Sequence, residues 1–217
     1  MTAETPTPDT DGALARARAM IRAGYRGTLQ FDEHFRPLRY VVDPATGRLA
    51  APVMVAMLAA AETVLFIPEE APDALQALVS LEPMDEHDAL ADRWRIHHGE
   101  PEDVRWAIVY LDMAKLNGVV LDGDALMTPN PLADAEPALC KLANRDRDTL
   151  RRVAAARGGM EIESPLCVGV DPGGLDVRAR FDIVRVPFDE PAETEDRARA
   201  TIERLLGGSA PGDQASA

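Results

Sequence analysis

The sequence predicts an α+β chain in two parts: a mostly β N-terminal region and a smaller helix–three-strand–helix region. Three observations carry this. The hydrophobic period is helical over Ala13–Ala23 and then turns into short apolar β runs. The polar stretch "TPNPLADAE", with two prolines, interrupts the pattern at 128–136. Beyond it the period runs from helical to alternating and back to helical. The expected division is a β domain at 12–127, a linker at 128–136 and an α/β domain at 137–206. Residues 1–11 and 207–217 are rich in small and polar residues and read as disordered tails.

In order, Leu14, Ala17, Met20 and Ile21 form one helical face ahead of Gly24. The runs "TLQF", "PLRYVVD", "RLAAPVMVAML" and "TVLFIP" are separated by "DEHF", "DPATG" and "AAAE", which reads as an antiparallel meander. A short helix at Pro72–Ala77, a strand near Leu78–Leu81, a helix ending at Gly99 and strands in "VRWAIVYLDM" and "NGVVLDG" complete about six strands. In the second domain Pro137–Arg157 reads as one helix, with Leu139, Leu142, Leu150 and Val153 near one face. "SPLCVGV" is a strand and "DPGG" a turn. Leu175, Val177, Ala179 and Phe181 then alternate with Asp176, Arg178, Arg180 and Asp182, which sends one face to a core and the other to water. "IVRVPF" continues inward with Val184, Val186 and Phe188. A final helix places acidic residues early and arginines late, the order its dipole favours.

Composition narrows the function classes. The hydrophobic share is 46% and the charged share 28%, a globular mixture rather than a disordered one. The longest apolar run, Leu49–Ala61, has 13 residues, short of the roughly 20 that span a bilayer, and the N-terminus lacks the features of a secretory signal. A cytoplasmic location is expected. Net charge is -14; residues 1–134 hold 11 Lys+Arg against 22 Asp+Glu, and residues 135–207 hold 12 against 14. No segment is net basic, so neither nucleic acid nor an anionic membrane surface is an expected partner. Cys140 and Cys167, with no further Cys or His at ligand spacing, read as buried reduced thiols rather than a disulfide or metal site.

"LANRDRDTL", "VGVDPGGLDV" and "VRVPFDEP" resemble the small α/β domain that closes haem-utilisation proteins and glutamyl-tRNA reductase-binding proteins. In those families the domain follows an FMN-binding-type split β-barrel related to pyridoxamine 5'-phosphate oxidase, and "GRLAAPVMVAML…ETVLFIP" is the part of the first domain most similar to it. The resemblance implies a homodimer and a haem- or flavin-related function. It also marks departures. Where cations are expected to hold the FMN phosphate, this chain has Glu69, Glu70 and Asp73, whose repulsion of a dianion is worth roughly one to several kcal/mol. Asp146-Arg147 replaces the Asp-His of relatives, and the C-terminal tail has no histidine for haem iron. A degenerate FMN phosphate site is therefore the expectation. The alternative is a non-catalytic dimeric scaffold or regulatory protein-binding module.

Four residues are candidates for cofactor binding. His97-His98 is the metal or haem candidate, but neighbours on a helix point about 100° apart and do not readily share an ion, so a helix-end role stands beside it. Arg36 and Arg39 offer planar forks for an anion at a dimer groove, against a reading as solvated strand residues. His34 and His87 read as surface residues. No metal site is expected, no carboxylate pair or nucleophile-elbow serine stands out, and "DPGGLD" lacks the lysine of a phosphate loop. No catalytic residue is assigned.

Overall fold

A computed structural model describes residues 9–103, 105–180 and 182–207. The chain divides into two compact units, Met1–Pro129 and Asn130–Ala217. It is a mixed α+β protein, with a strongly curled antiparallel half-barrel sheet in the first unit and a small three-stranded sheet in the second.

The first unit begins with α1 (Thr10–Arg22), whose start is fixed by the Asp9 carboxylate accepting from Gly12 N at 2.9 Å. Thr10 and Asp11, expected in the tail, are therefore helical; the tail positions 1–8 and 208–217 lie outside the described residues. Strands β1 (Arg26–Phe31) and β2 (His34–Arg39) form a hairpin, followed by β3 (Val41–Val42), β4 (Leu49–Val53) and α2 (Val55–Ala59). Next come β5 (Thr63–Ile67), β6 (Leu75–Met84), α3 (Ala89–His98), β7 (Arg105–Leu116), β8 (Val119–Asp122) and α4 (Gly123–Leu126). The β7–β8 hairpin turns on Asn117 and Gly118, both with positive φ, the conformation such a two-residue loop requires.

Sheet order is β2-β1-β5-β6-β7-β4-β3, with β8 also on β7, eight strands rather than six and not a simple meander. The β3–β4 pair leaves its sequence neighbours because all five residues of β4, "LAAPV", are buried and need cover on both faces. They find it by pairing with the first half of β7, under a cluster of Val41, Ala50, Ala91, Trp94 and Trp106. The register of β6 against β7 shifts between Leu78 and Val79, and this irregularity lets the long β7 bend, taking β4 on one half and β8 on the other. The inward face carries Leu29, Leu65, Ile67, Leu75, Val79 and Leu111, all buried. The short helix expected at Pro72–Ala77 is absent: those residues form a turn and the start of β6, whose alternating Leu75, Ala77 and Val79 need strand geometry to reach that core.

The second unit contains α5 (Glu136–Ala143), α6 (Arg147–Gly158), β9 (Leu166–Asp171), β10 (Gly174–Arg178), β11 (Ile183–Pro187) and α7 (Glu195–Gly207), with sheet order β11-β10-β9. The single helix expected over Pro137–Arg157 is two. Asp146 turns away to cap α6, accepting from Thr149 N at 3.0 Å, and Asn144 spends its side chain on β9. The linker stretch contributes Leu132 and Glu136, both buried, to this unit. Its core gathers Leu139, Leu142, Leu150, Val170, Leu175, Val177, Val186 and Ile202. Of the alternating strand positions, Asp176 departs from expectation: it is 2% exposed rather than solvated, because Arg185 on β11 reaches it. Phe181 lies outside the described residues.

Candidate functional site

The first unit offers a sheet face built by register. On antiparallel strands, directly opposed residues project to the same side. One cross-strand row runs Phe35–Gln30–Val64–Leu78–Met113–Asp122, and the next runs Pro37–Thr28–Phe66–Gln76–Lys115–Val120. These rows point away from the core, because their strand neighbours Leu29, Leu65, Ala77 and Ala114 are buried on the other side. Apolar side chains occupy seven of the twelve places. Phe35 is 46% exposed, Leu78 43%, Met113 47% and Val120 61%. The Phe35 and Phe66 rings lie 6.4 Å apart across the stripe. Apolar side chains thus stand on five of the six strands, with β1 contributing Gln30 and Thr28, which is unusual for a face that meets only water.

The predicted residues fall around a different feature, the seat of α3. Asp88 caps this helix through Leu90 N at 2.8 Å, and Gly99, at φ 88, ends it. Trp94 donates its indole N–H to the carbonyl of Arg39 at 2.9 Å and meets Trp106 edge-on at 5.7 Å. His98 donates through Nε2 to the next carbonyl, Tyr40, at 2.9 Å and lies 4.9 Å from the Trp94 ring. His97 is buried, with Nδ1 donating to Arg93 O at 2.8 Å and its ring 5.7 Å from Tyr25. Tyr40 is fully buried, donating its hydroxyl to Ile21 O at 2.8 Å, and burial pushes its pKa far up. The two imidazoles thus face protein carbonyls and aromatic rings.

Arg36 and Arg39 do not converge. Three positions apart on β2, they lie on opposite faces of the strand: Arg36 opposes Leu29, and Arg39 opposes Arg26 at the end of the apolar stripe. Only the Arg39 backbone comes near the histidines. Glu69, Glu70 and Asp73 are exposed on the β5–β6 connection. Among the described residues no group of three or more His, Cys, Asp or Glu side chains is placed to hold a metal ion. Each imidazole commits one ring nitrogen to a backbone carbonyl, and the β5–β6 connection carries the carboxylates of Glu69, Glu70 and Asp73.

The second unit holds two further clusters that the fold brings together. Arg185 binds both Asp171 and Asp176, the latter at 2.8 Å, within the sheet. Asp171 also accepts from Gly173 N at 2.7 Å, closing the "DPGG" turn. Beside them, the Sγ atoms of Cys140 and Cys167 lie 3.9 Å apart, both thiols free. The sequence signal for the first was a pair of aspartates flanking a turn opposite an arginine. The second had none, since 27 residues separate the cysteines.

No family model matches the chain, and no curated protein matches it. Among solved structures, the protein Atu2129 from Agrobacterium tumefaciens str. C58, of unknown function, is similar at 16% identity over 95% of this chain and 100% of that one, with a TM-score of 0.70. A second solved chain is 19% identical over 55% of this chain and 98% of that one, with a TM-score of 0.45. The first likeness supports a half-barrel fold consistent with a split barrel. Among the described residues no helix is long and apolar enough to cross a membrane.

Proposed function

We propose that this chain is a split-barrel protein of the pyridoxamine 5'-phosphate oxidase-like type that works as a homodimeric scaffold, with a degenerate FMN phosphate site, rather than as a haem or flavin enzyme. The observation that carries the reading is the apolar band from Phe35 to Val120. A second copy fits it best because the band is self-complementary in charge. Arg39 stands at its β2 end and Asp122 at its β8 end, so a two-fold axis lying in the interface, parallel to the strands, turns each copy's β2 end toward the partner's β8 end. Carboxylates at 69, 70 and 73 support the loss of FMN phosphate binding.

The test is light scattering after size exclusion, on the full chain and on Leu78→Lys/Met113→Glu. The parent is expected to run as a dimer and the double variant as a folded monomer. With a net charge of -14 per copy, the dimer should tighten as salt screens self-repulsion. A monomeric parent across that salt range would overturn the scaffold reading. Absorbance titrations with FMN and hemin address the other half: tight, saturable FMN binding, or a Soret shift abolished in a His97→Ala/His98→Ala variant, would refute the degenerate site.

A further inference from the structure

We propose that Cys140 and Cys167 form a thiol pair that a peroxide converts into an intramolecular disulfide. Cys140 lies on α5 and is partly exposed; Cys167 lies on β9 and is 3% exposed. Their sulfurs are 3.9 Å apart, with the Cys167 thiol donating toward Cys140 and lying 3.5 Å from Gly169 O. A disulfide needs about 2.05 Å, so the sulfurs have about 2 Å left to travel. The backbone holds the pair in place for that step. Asn144, one helical turn beyond Cys140, accepts from Cys167 N at 2.9 Å and donates to Cys167 O at 2.8 Å. This two-point clamp fixes the strand residue directly beneath the helical one, and what remains is side-chain rotation at the partly exposed Cys140.

The order of events follows from access. Cys140 sulfur, as thiolate, attacks one peroxide oxygen; the O–O bond breaks, the departing oxygen leaves as water or alcohol, and Cys140 becomes a sulfenic acid. Cys167 then loses its proton, its sulfur attacks the Cys140 sulfur, and the S–O bond breaks with release of water. Two thiols give up two electrons and two protons, and the peroxide is reduced. Cys167 is suited to the second role: its hydrogen bond to Cys140, then burial, then the neighbouring Asp176 push its pKa up, so it stays protonated while Cys140 meets the oxidant.

The experiment treats the folded full chain with hydrogen peroxide and follows free thiols, intact mass and tryptic peptides. The expected result is loss of both thiols together, a mass lower by about 2 Da, reversal by dithiothreitol, and a single cross-linked peptide joining Cys140 to Cys167. In Cys167→Ser the reaction should stop at a sulfenic acid on Cys140 that dimedone traps, while the parent accumulates no such adduct. In Cys140→Ser, Cys167 should survive the same exposure. Two thiols persisting in the parent, a dimedone adduct building up on parent Cys140, or a disulfide between chains would each overturn the proposal. All three readings use the parent protein, so the test stands even if one variant misfolds.

Discussion

Replacing Arg185 by leucine tests whether the second unit depends on its ion triad. The guanidinium, 18% exposed, binds Asp176 at 2.8 Å and Asp171; these carboxylate side chains are 2% and 6% exposed. Leucine fills part of the volume but leaves two carboxylates on neighbouring strands with little water and no countercharge from β11. Removing one partner of a buried ion pair costs about 3–5 kcal/mol. Gly173 N–H stays bonded to Asp171 in the variant, and about 3–5 kcal/mol is the expected loss. In a unit of this size that lowers Tm by about 12 °C or more. The two units can be read separately, because both tryptophans and all three tyrosines lie in the first one. Far-UV circular dichroism should show an early transition in the variant, with the tryptophan fluorescence midpoint unchanged. The deficit should also depend on pH. Protonation removes the carboxylate charge that Arg185 compensates in the parent, so the deficit should shrink as pH falls through the carboxylate range. A shift under about 1 kcal/mol, or a deficit independent of pH, would refute the reasoning.

Gly123→Ala drives a Cβ into the Leu111 carbonyl and should destabilise the first unit by about 1–3 kcal/mol, read as a lower midpoint of tryptophan fluorescence. Asn144→Ala leaves the Cys167 N–H and C=O without the amide that spans them, and hydrogen exchange at the Cys167 amide should speed up by at least about tenfold. Hydrogen bonds from the Thr149 backbone and hydroxyl hold the Asp146 carboxyl below its usual pKa. Its stabilisation is therefore present above the unfolded pKa and lost as pH falls through the folded one; in acid titrations followed by circular dichroism, Asp146→Asn should flatten that part of the parent's decline. Trp94→Phe and His98→Phe each remove one bond from α3 to consecutive carbonyls of the β2–β3 strand, and their stability losses should couple by about 0.5 kcal/mol or more in a double-mutant cycle.

The elements most legible in the sequence were those set by local chemistry. The Gly99 stop of α3 and the "DPGG" turn follow from short-range rules, whereas Asn117-Gly118, read as the start of a strand, is the turn between β7 and β8. What the sequence hides is decided by distant partners. "RLAAPVMVAML" reads as one strand, yet it splits into β4 and α2 because β4 is claimed by β7, more than fifty residues further on. Asp176 alternates like a solvated residue, and only Arg185 makes it a buried one. The outward apolar stripe had a signal that alternation rules pass over. "TVLFI" is apolar at four consecutive positions, so β5 presents Val64 and Phe66 outward as well as Leu65 and Ile67 inward. In an antiparallel sheet such a run marks a strand covered on both faces.

The two units also treat their exposed surfaces in opposite ways, and this bears on how copies can associate. An edge strand is a template for pairing with another chain. At the edge of the small sheet, β9 has that template filled: Asn144 satisfies both backbone groups of Cys167, Glu136 accepts from Val170 N at 3.1 Å, and Asn130 donates to Val170 O at 2.8 Å. Three side chains from outside the strand stand in for a neighbouring strand, which removes strand addition at β9 as a route to association. The first unit instead leaves a side-chain face with apolar residues on five of its strands, where contact needs no free backbone groups. This distribution of satisfied and unsatisfied surface is the reason the proposed dimer is drawn through the half-barrel face rather than through the β9 edge.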